Sequence, residues 1–256
     1  MLKYYYVALK TIVIKEVLRF SRIWVQTIVP PVITTSLYFI IFGHLIGSRI
    51  GKMDGYSYME FIVPGLVMMA VITNSYSNVV SSFFGAKFGR HVEELIVSPV
   101  PNWLILLGYV LGGMARGLAV GIAVSAVSLL FTHLWVENIA VTVTIALLTA
   151  ALFSLAGFIN AIFANSFDDI SIVPTFVLTP LTYLGGVFYS INLLPGFWKE
   201  LSLANPILYM VNAFRKGMLG TSDIPLGVSY AIILGFIFIL FTVALNLLNR
   251  GVGIRS

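Results

Sequence analysis

Six apolar stretches, each about as long as a bilayer is thick and nearly free of charge, recur along the chain, over residues 24–45, 61–84, 103–131, 139–163, 170–188 and 226–248. A helix crossing the hydrocarbon core needs about 20 mostly apolar residues, so each stretch is a candidate span. Only 10% of the side chains are charged and 59% are hydrophobic. An ordinary soluble domain carries about 25% charged residues, so a soluble enzyme is excluded, and so is a disordered chain, which is apolar-poor and charge-rich. The expected fold is all-α and integral to the membrane, with six transmembrane helices, and the 256 residues leave no room for a second folded domain. The layout reads as one domain: residues 1–23 an interfacial helix, 24–188 spans one to five, 189–225 an outer region, 226–248 the sixth span and 249–256 a tail.

The first segment does not read as a cleavable signal peptide, because Lys3, Lys10, Lys15, Arg19 and Arg22 leave no apolar core before a cleavage site. Tyr6, Leu9, Val13, Val17, Phe20 and Trp24 recur instead at helical spacing, with Lys15, Arg19 and Arg22 opposite. Such a basic amphipathic helix lies along an anionic leaflet; the plainer reading is an extension of the first span. Pro30 and Pro31 fall near the start of that span and mark a bend. Six spans place both ends on one side. That side holds nine Lys and Arg, the other five, with Arg116 inside the third span. The excess puts both termini in the cytoplasm. Within 189–225, residues 193–201 and 205–216 are too apolar for a free loop and too short to span, as expected of re-entrant helices.

Catalytic signatures are missing. There is no cysteine, no HExxH, no GxxxxGK[ST] phosphate loop and no GxSxG elbow, and His44, His91 and His133 fall in separate segments. No metal and no nucleic acid is expected, and Asp168-Asp169 reads as the cap of the fifth span. Between the second and third spans, Lys87-Phe88-Gly89-Arg90-His91-Val92-Glu93-Glu94-Leu95-Ile96 runs from charged to apolar and stops at Pro99 and Pro101. A short surface helix fits, offering charge and an apolar knob to another protein; a plain connector is the alternative.

This segment, with Asn205-Pro206-Ile207-Leu208-Tyr209-Met210-Val211-Asn212-Ala213-Phe214-Arg215 and Pro180-Leu181-Thr182-Tyr183-Leu184-Gly185-Gly186-Val187-Phe188-Tyr189, resembles the type-2 ATP-binding-cassette transporter permeases over essentially the whole chain. The resemblance implies a homodimer in the bacterial inner membrane, docked to two copies of a separate ATPase subunit that binds ATP and Mg. The chain itself would carry no cofactor and, alone, would be no enzyme. It places the coupling contact on Arg90, His91, Glu93, Glu94, Leu95 and Ile96, with the N-terminal helix as a second contact, and two re-entrant helices before the sixth span. A path lined by the first, second and fifth spans would use Tyr38, Phe39, Asn74, Tyr76, Asn78, Thr179, Thr182 and Tyr183. Asn74 and Asn78 could equally serve hydrogen bonds within one protomer. Arg116 is either structural, paired or snorkelling, or a substrate contact. The implied function is export of an amphipathic or hydrophobic small molecule or lipid. The alternatives are a regulatory or sensory module on the same scaffold, or an exporter of a lipid-linked glycan.

Overall fold

The computed structural model describes residues 2–133 and 136–253, so Arg255 of the tail lies outside the described residues. Helix α1 (Leu2–Arg22) meets α2 (Trp24–Tyr38) at Ile23, whose φ of −112° and ψ of 32° interrupt the helix. The break therefore falls at Ile23 and not at Pro30 and Pro31, which sit inside α2. A π-helical stretch, Phe39–Ile46, carries α2 into α3 (Gly47–Ile50). Strands β1 (Lys52–Met53) and β2 (Tyr56–Ser57) form a hairpin with Lys52 opposite Ser57. Asp54 and Gly55 both take positive φ, as a two-residue Asp-Gly turn requires.

Ser57 then starts α4 (Tyr58–Phe88) with a capping box: its hydroxyl accepts from the Glu60 N–H, and the Glu60 carboxylate accepts from the Ser57 N–H. After α5 (His91–Val97) come α6 (Asn102–Ser128) and α7 (Ile139–Phe163), the latter capped by Asn138. Helix α4 is the axis of the bundle, packed by α6, α7 and α11 (Pro206–Leu219). Its polar run Thr73–Asn78 is tolerable there because 78% of its membrane-length window is buried in protein. The final helix, α12 (Leu226–Arg250), is the most apolar of the long helices and only 17% of its window is buried. Among the helices apolar enough to span, the bundle thus turns the most apolar outward and the least apolar inward, as a lipid solvent favours.

Five helices among the described residues are long and apolar enough to cross a membrane. The expected fifth span is shorter than its sequence suggested. Helix α8 (Asp169–Val173), a π-helical turn (Pro174–Leu178) and α9 (Thr179–Tyr183) form one run that ends at a turn over Leu184–Gly186. At about 1.5 Å per residue this run covers roughly 22 Å, against a hydrocarbon core of about 30 Å. Pro174 and Pro180 each remove a backbone donor, and Gly186 at φ 71° turns the chain away. The cap of this run is also redistributed: the Ser166 hydroxyl accepts from the Asp169 N–H and the Asp169 carboxylate accepts from the Asn165 and Ser166 N–H groups, while Asp168 makes no side-chain cap bond.

Two short helices lie where re-entrant segments were expected, α10 (Gly196–Leu203) and α11. The second is buried nearly all round. Asn205 caps it, accepting from the Ile207 N–H and donating to the Leu181 carbonyl; Pro206 opens it and Gly220, at φ 76°, ends it. Gly185 and Gly186 pack against it so closely that a Cβ would stand 2.7 Å from Ile207 and 3.0 Å from Leu208.

Candidate coupling face and membrane groove

At one end of the bundle, α4 stops at Gly89 and Arg90 turns left-handed (φ 60°), which swings α5 across the helix ends before Pro99 and Pro101 release the chain into α6. Val92 is 2% exposed and pins α5 to the bundle. Arg90, His91, Glu93 and Glu94 are exposed and Leu95 is half-buried; the side chain of Ile96 lies outside the described residues. Glu93 and Glu94 occupy the first turn, where carboxylates favour a helix. Val97, 85% exposed, and Phe88 add apolar surface. The platform beneath is tied together. The Lys87 ammonium donates to the carbonyls of Ile162 and Ala164, both at 2.7 Å, and so caps the end of α7. Phe167 sits edge-on to Phe84 at 5.0 Å and near Phe88 at 5.1 Å.

Helix α1 leans on α6 rather than standing apart. The face it buries is the line Ile12, Glu16 and Phe20, so the stripe read from the sequence is rotated: Tyr6 and Trp24 are exposed, and Leu9, Val13 and Val17 are half-buried. Gly108 and Gly112 of α6 make the approach possible, because a Cβ on either would strike Ile12 or Glu16. Gly113 and Gly117, on the other side, admit Ser75 and Val79 of α4. This is close packing through small residues four apart.

A polar ladder climbs α4 between these helices. The Ser82 hydroxyl donates to Glu16 Oε1 at 2.6 Å, and Glu16 Oε2 pairs with Arg19 Nε at 3.4 Å. Arg19 Nη2 donates to the carbonyl and the side-chain oxygen of Asn78 at 2.9 and 2.8 Å. One turn on, Arg116 Nη2 reaches Asn74 Oδ1 at 3.4 Å, while Asn74 itself donates to the Ala70 carbonyl. Glu16 and Arg19 form the one ion pair among the described residues, so Arg116 has none. It sits midway along α6, and a guanidinium at the centre of a spanning helix costs about 2.5–3.5 kcal/mol unless it is paired or reaches the interface.

Arg116 lines a groove of about 340 Å³ between α2, α4 and α6, with Tyr38 and Asn74. The Tyr38 and Tyr183 hydroxyls share a hydrogen bond of 3.0 Å at its edge. The other candidates lie elsewhere. Phe39 is buried and stacked on Phe131 at 5.2 Å, Tyr76 is buried, and Asn78 holds Arg19. Thr182 is buried and donates to the Leu178 carbonyl; Thr179, exposed, donates to the Pro174 carbonyl across the π-turn. The structure thus brings Tyr38, Asn74 and Arg116 to one groove, with Tyr183 at its edge, and leaves Phe39, Tyr76, Asn78 and Thr182 inside the protomer. Sequence reasoning missed Glu16 and Ser82. The available signals were a lone acid in a basic helix and the Gly108–Gly112 spacing.

At the hairpin end, Arg215 of α11 is 1% exposed, its guanidinium 3.9 Å from the centre of the Phe61 ring and its Nη2 donating to the Gly186 carbonyl at 2.6 Å. The two motifs 180–189 and 205–215 therefore bind one another, through Asn205 on Leu181 and Arg215 on Gly186. In the hairpin turn, partial burial and the Asp223 carboxylate raise Asp54 above the usual carboxylate range, against the opposing pull of Arg215.

The comparisons with known proteins agree with these motifs. The ABC-2 type transporter family matches residues 7–219, from α1 through α11. The inner membrane transport permease YadH of Escherichia coli (strain K12) is 60% identical over 256 residues, the whole of both chains, and the protein of that name from Shigella flexneri is equally similar. Nodulation protein J of Rhizobium meliloti (strain 1021) is 27% identical over 217 residues, covering 84% of this chain and 82% of the other. A match running through α5 and both motifs, 180–189 and 205–215, leaves one assignment: the chain belongs to the ABC-2 type transporter family, as a transport permease and not as an enzyme in its own right.

Proposed function

We propose that this chain is the membrane half of an ATP-driven exporter in the bacterial inner membrane, working as a homodimer with two copies of an ATPase subunit. The observation that carries the reading is α5, an exposed charged helix pinned by Val92 to a platform that Lys87 and Phe167 tie to α7 and α8. A push on Glu93 and Glu94 reaches the ends of the spanning helices without passing through a mobile linker. The sequence holds no phosphate loop, so ATP and Mg belong to the partner. The run α8–α9, with the turn after it, supplies the remaining crossing and makes six. Both termini then face the cytoplasm together with α5, and α10 and α11 enter from the opposite side without crossing.

In this reading ATP binding closes the two ATPase subunits, α5 transmits the closure, and the bundle moves between two conformations that hold cargo differently. The exposed outer faces of α2 and α8–α9 meet across the dimer axis, and the groove at Tyr38, Asn74 and Arg116 opens towards it. The cargo is an amphipathic or hydrophobic small molecule or lipid, since the groove joins apolar walls to polar ones. The test is copurification. Tagged chain extracted in mild detergent should bring down an ATPase subunit in equal amount, and the double variant Glu93→Arg, Glu94→Arg should lose at least nine-tenths of it while keeping its melting temperature. Recovery of the chain alone in several mild detergents would sink the reading.

A further inference from the structure

We propose that the groove between α2, α4 and α6 is a binding site for the phosphate headgroup of an anionic amphiphile, with Arg116 as its cation. The inference rests on the permease reading for its biological setting and on the groove itself for its chemistry.

The charge count around the groove carries the argument. Two guanidiniums, Arg19 and Arg116, lie one helical turn apart on the Asn78 and Asn74 rungs of α4. The single carboxylate among them, Glu16, is spent: one oxygen accepts from Ser82 and the other pairs with Arg19. The cluster therefore keeps one positive charge with no counter-charge, and it belongs to Arg116. That residue is under-bonded as well. Among the described residues its one side-chain hydrogen bond is the long 3.4 Å contact to Asn74, and its Nε is buried without a partner. A guanidinium presents a planar fork of donors whose natural complement is a phosphate or carboxylate taken at two points.

The walls say what the anion is attached to. Gln26, Thr34 and Thr73 contribute polar side chains to the groove's lining, as Arg116 does, whereas Pro30, Leu66 and Met69 contribute apolar wall. Pro30 and Pro31 also lack the N–H groups that would bond the carbonyls of Gln26 and Thr27, which keeps the polar wall of α2 polar along its backbone. A headgroup bearing one phosphate fits about 340 Å³, and acyl chains do not. The chains would lie outside the groove. Phosphate is preferred to carboxylate because it offers more oxygens than one fork can use, leaving some for Gln26, Thr34 and Thr73.

The experiment measures binding of a fluorescent short-chain phosphatidic acid to the purified full-length chain in neutral detergent, with the matching diacylglycerol as the phosphate-free control. The wild type should bind phosphatidic acid about tenfold more tightly than diacylglycerol, the worth of one charge-assisted pair. Arg116→Gln should abolish that preference and Arg116→Lys should keep most of it. Thr34→Phe, which fills the groove and leaves the charge in place, should weaken phosphatidic acid binding while preserving the melting temperature, so misfolding of an Arg116 variant does not decide the matter. Competition by inorganic phosphate would assign the site to a free anion; failure to compete would assign it to a lipid headgroup, and both uphold phosphate recognition. Equal affinity for the two lipids, or full preference in Arg116→Gln, overturns the proposal. ATPase copurification, read on the same preparations, tests the permease reading separately: its failure with the preference intact would remove the transporter setting and leave the site.

Discussion

Glu16 is fully buried on a helix whose other charges are all basic, and it is held by Ser82 from α4 and Arg19 from its own next turn. Removing it would leave Arg19 without its counter-charge and a gap against Gly112. Glu16→Ala should therefore lower stability by about 3 kcal/mol, the low end for breaking a buried pair, since Arg19 keeps 29% exposure. Glu16→Gln preserves an acceptor for Ser82 and should lose about half as much. Thermal unfolding in one detergent compares the two, and a drop of similar size in both would mean that the charge matters more than the hydroxyl bond. At this scale legibility follows the background against which a residue stands. Arg116 and Asn74 stood out because a span is apolar. Glu16 did not, because the amphipathic stripe was drawn through Val13 and Val17, and nothing local says that a glycine-faced neighbour will take a carboxylate in preference to valine.

Helix α11 shows how a short element can be specified by its ends. Asn205 accepts from the Ile207 N–H and donates to the Leu181 carbonyl at 2.6 Å, so one side chain both caps the helix and fastens it to α9. Asn205→Ala should cost about 1–2 kcal/mol, a lost cap plus an orphaned carbonyl, whereas Asn205→Asp keeps the cap alone and should fall between. Limited proteolysis within 189–205 is the sensitive readout, and an unchanged cleavage rate in Asn205→Ala would show that packing of α11 suffices without the tie. The element was legible as a stretch too apolar for a free loop and too short to span; its Asn205–Pro206 start and Gly220 end came only with the structure. The run from Asp169 to Tyr183 was legible as a short apolar stretch carrying Pro174 and Pro180, but its end at Tyr183 was not. Hydropathy counts side chains, while Pro174, Pro180 and Gly186 act on the backbone, and they end the helix before its apolar residues end.

Across the whole molecule the ordering of polarity is inverted relative to a soluble bundle: α4 collects the polar side chains at the axis, and α12 offers Phe236, Phe238 and Ile239 outward. That inversion was readable as a membrane fold from composition alone. The partner of each exposed face was not, because lipid and a second protomer favour the same apolar side chains. Cysteine cross-linking separates the two, and the chain is suited to it, having no native cysteine. In the proposed dimer the outer face of α2 approaches its counterpart, so Ile33→Cys or Leu37→Cys should give a covalent dimer in native membranes with a short bifunctional thiol reagent. Phe238→Cys, on the lipid-facing side of α12, should remain monomeric under the same treatment. Each replacement lies on an exposed surface and should change stability by no more than about 0.5 kcal/mol, so the cross-linking pattern reports proximity and not unfolding. A dimer from Phe238→Cys with none from either α2 variant would move the protomer interface to α12. The groove at Arg116 would then open onto lipid, where an anionic headgroup could enter it laterally without crossing a dimer axis.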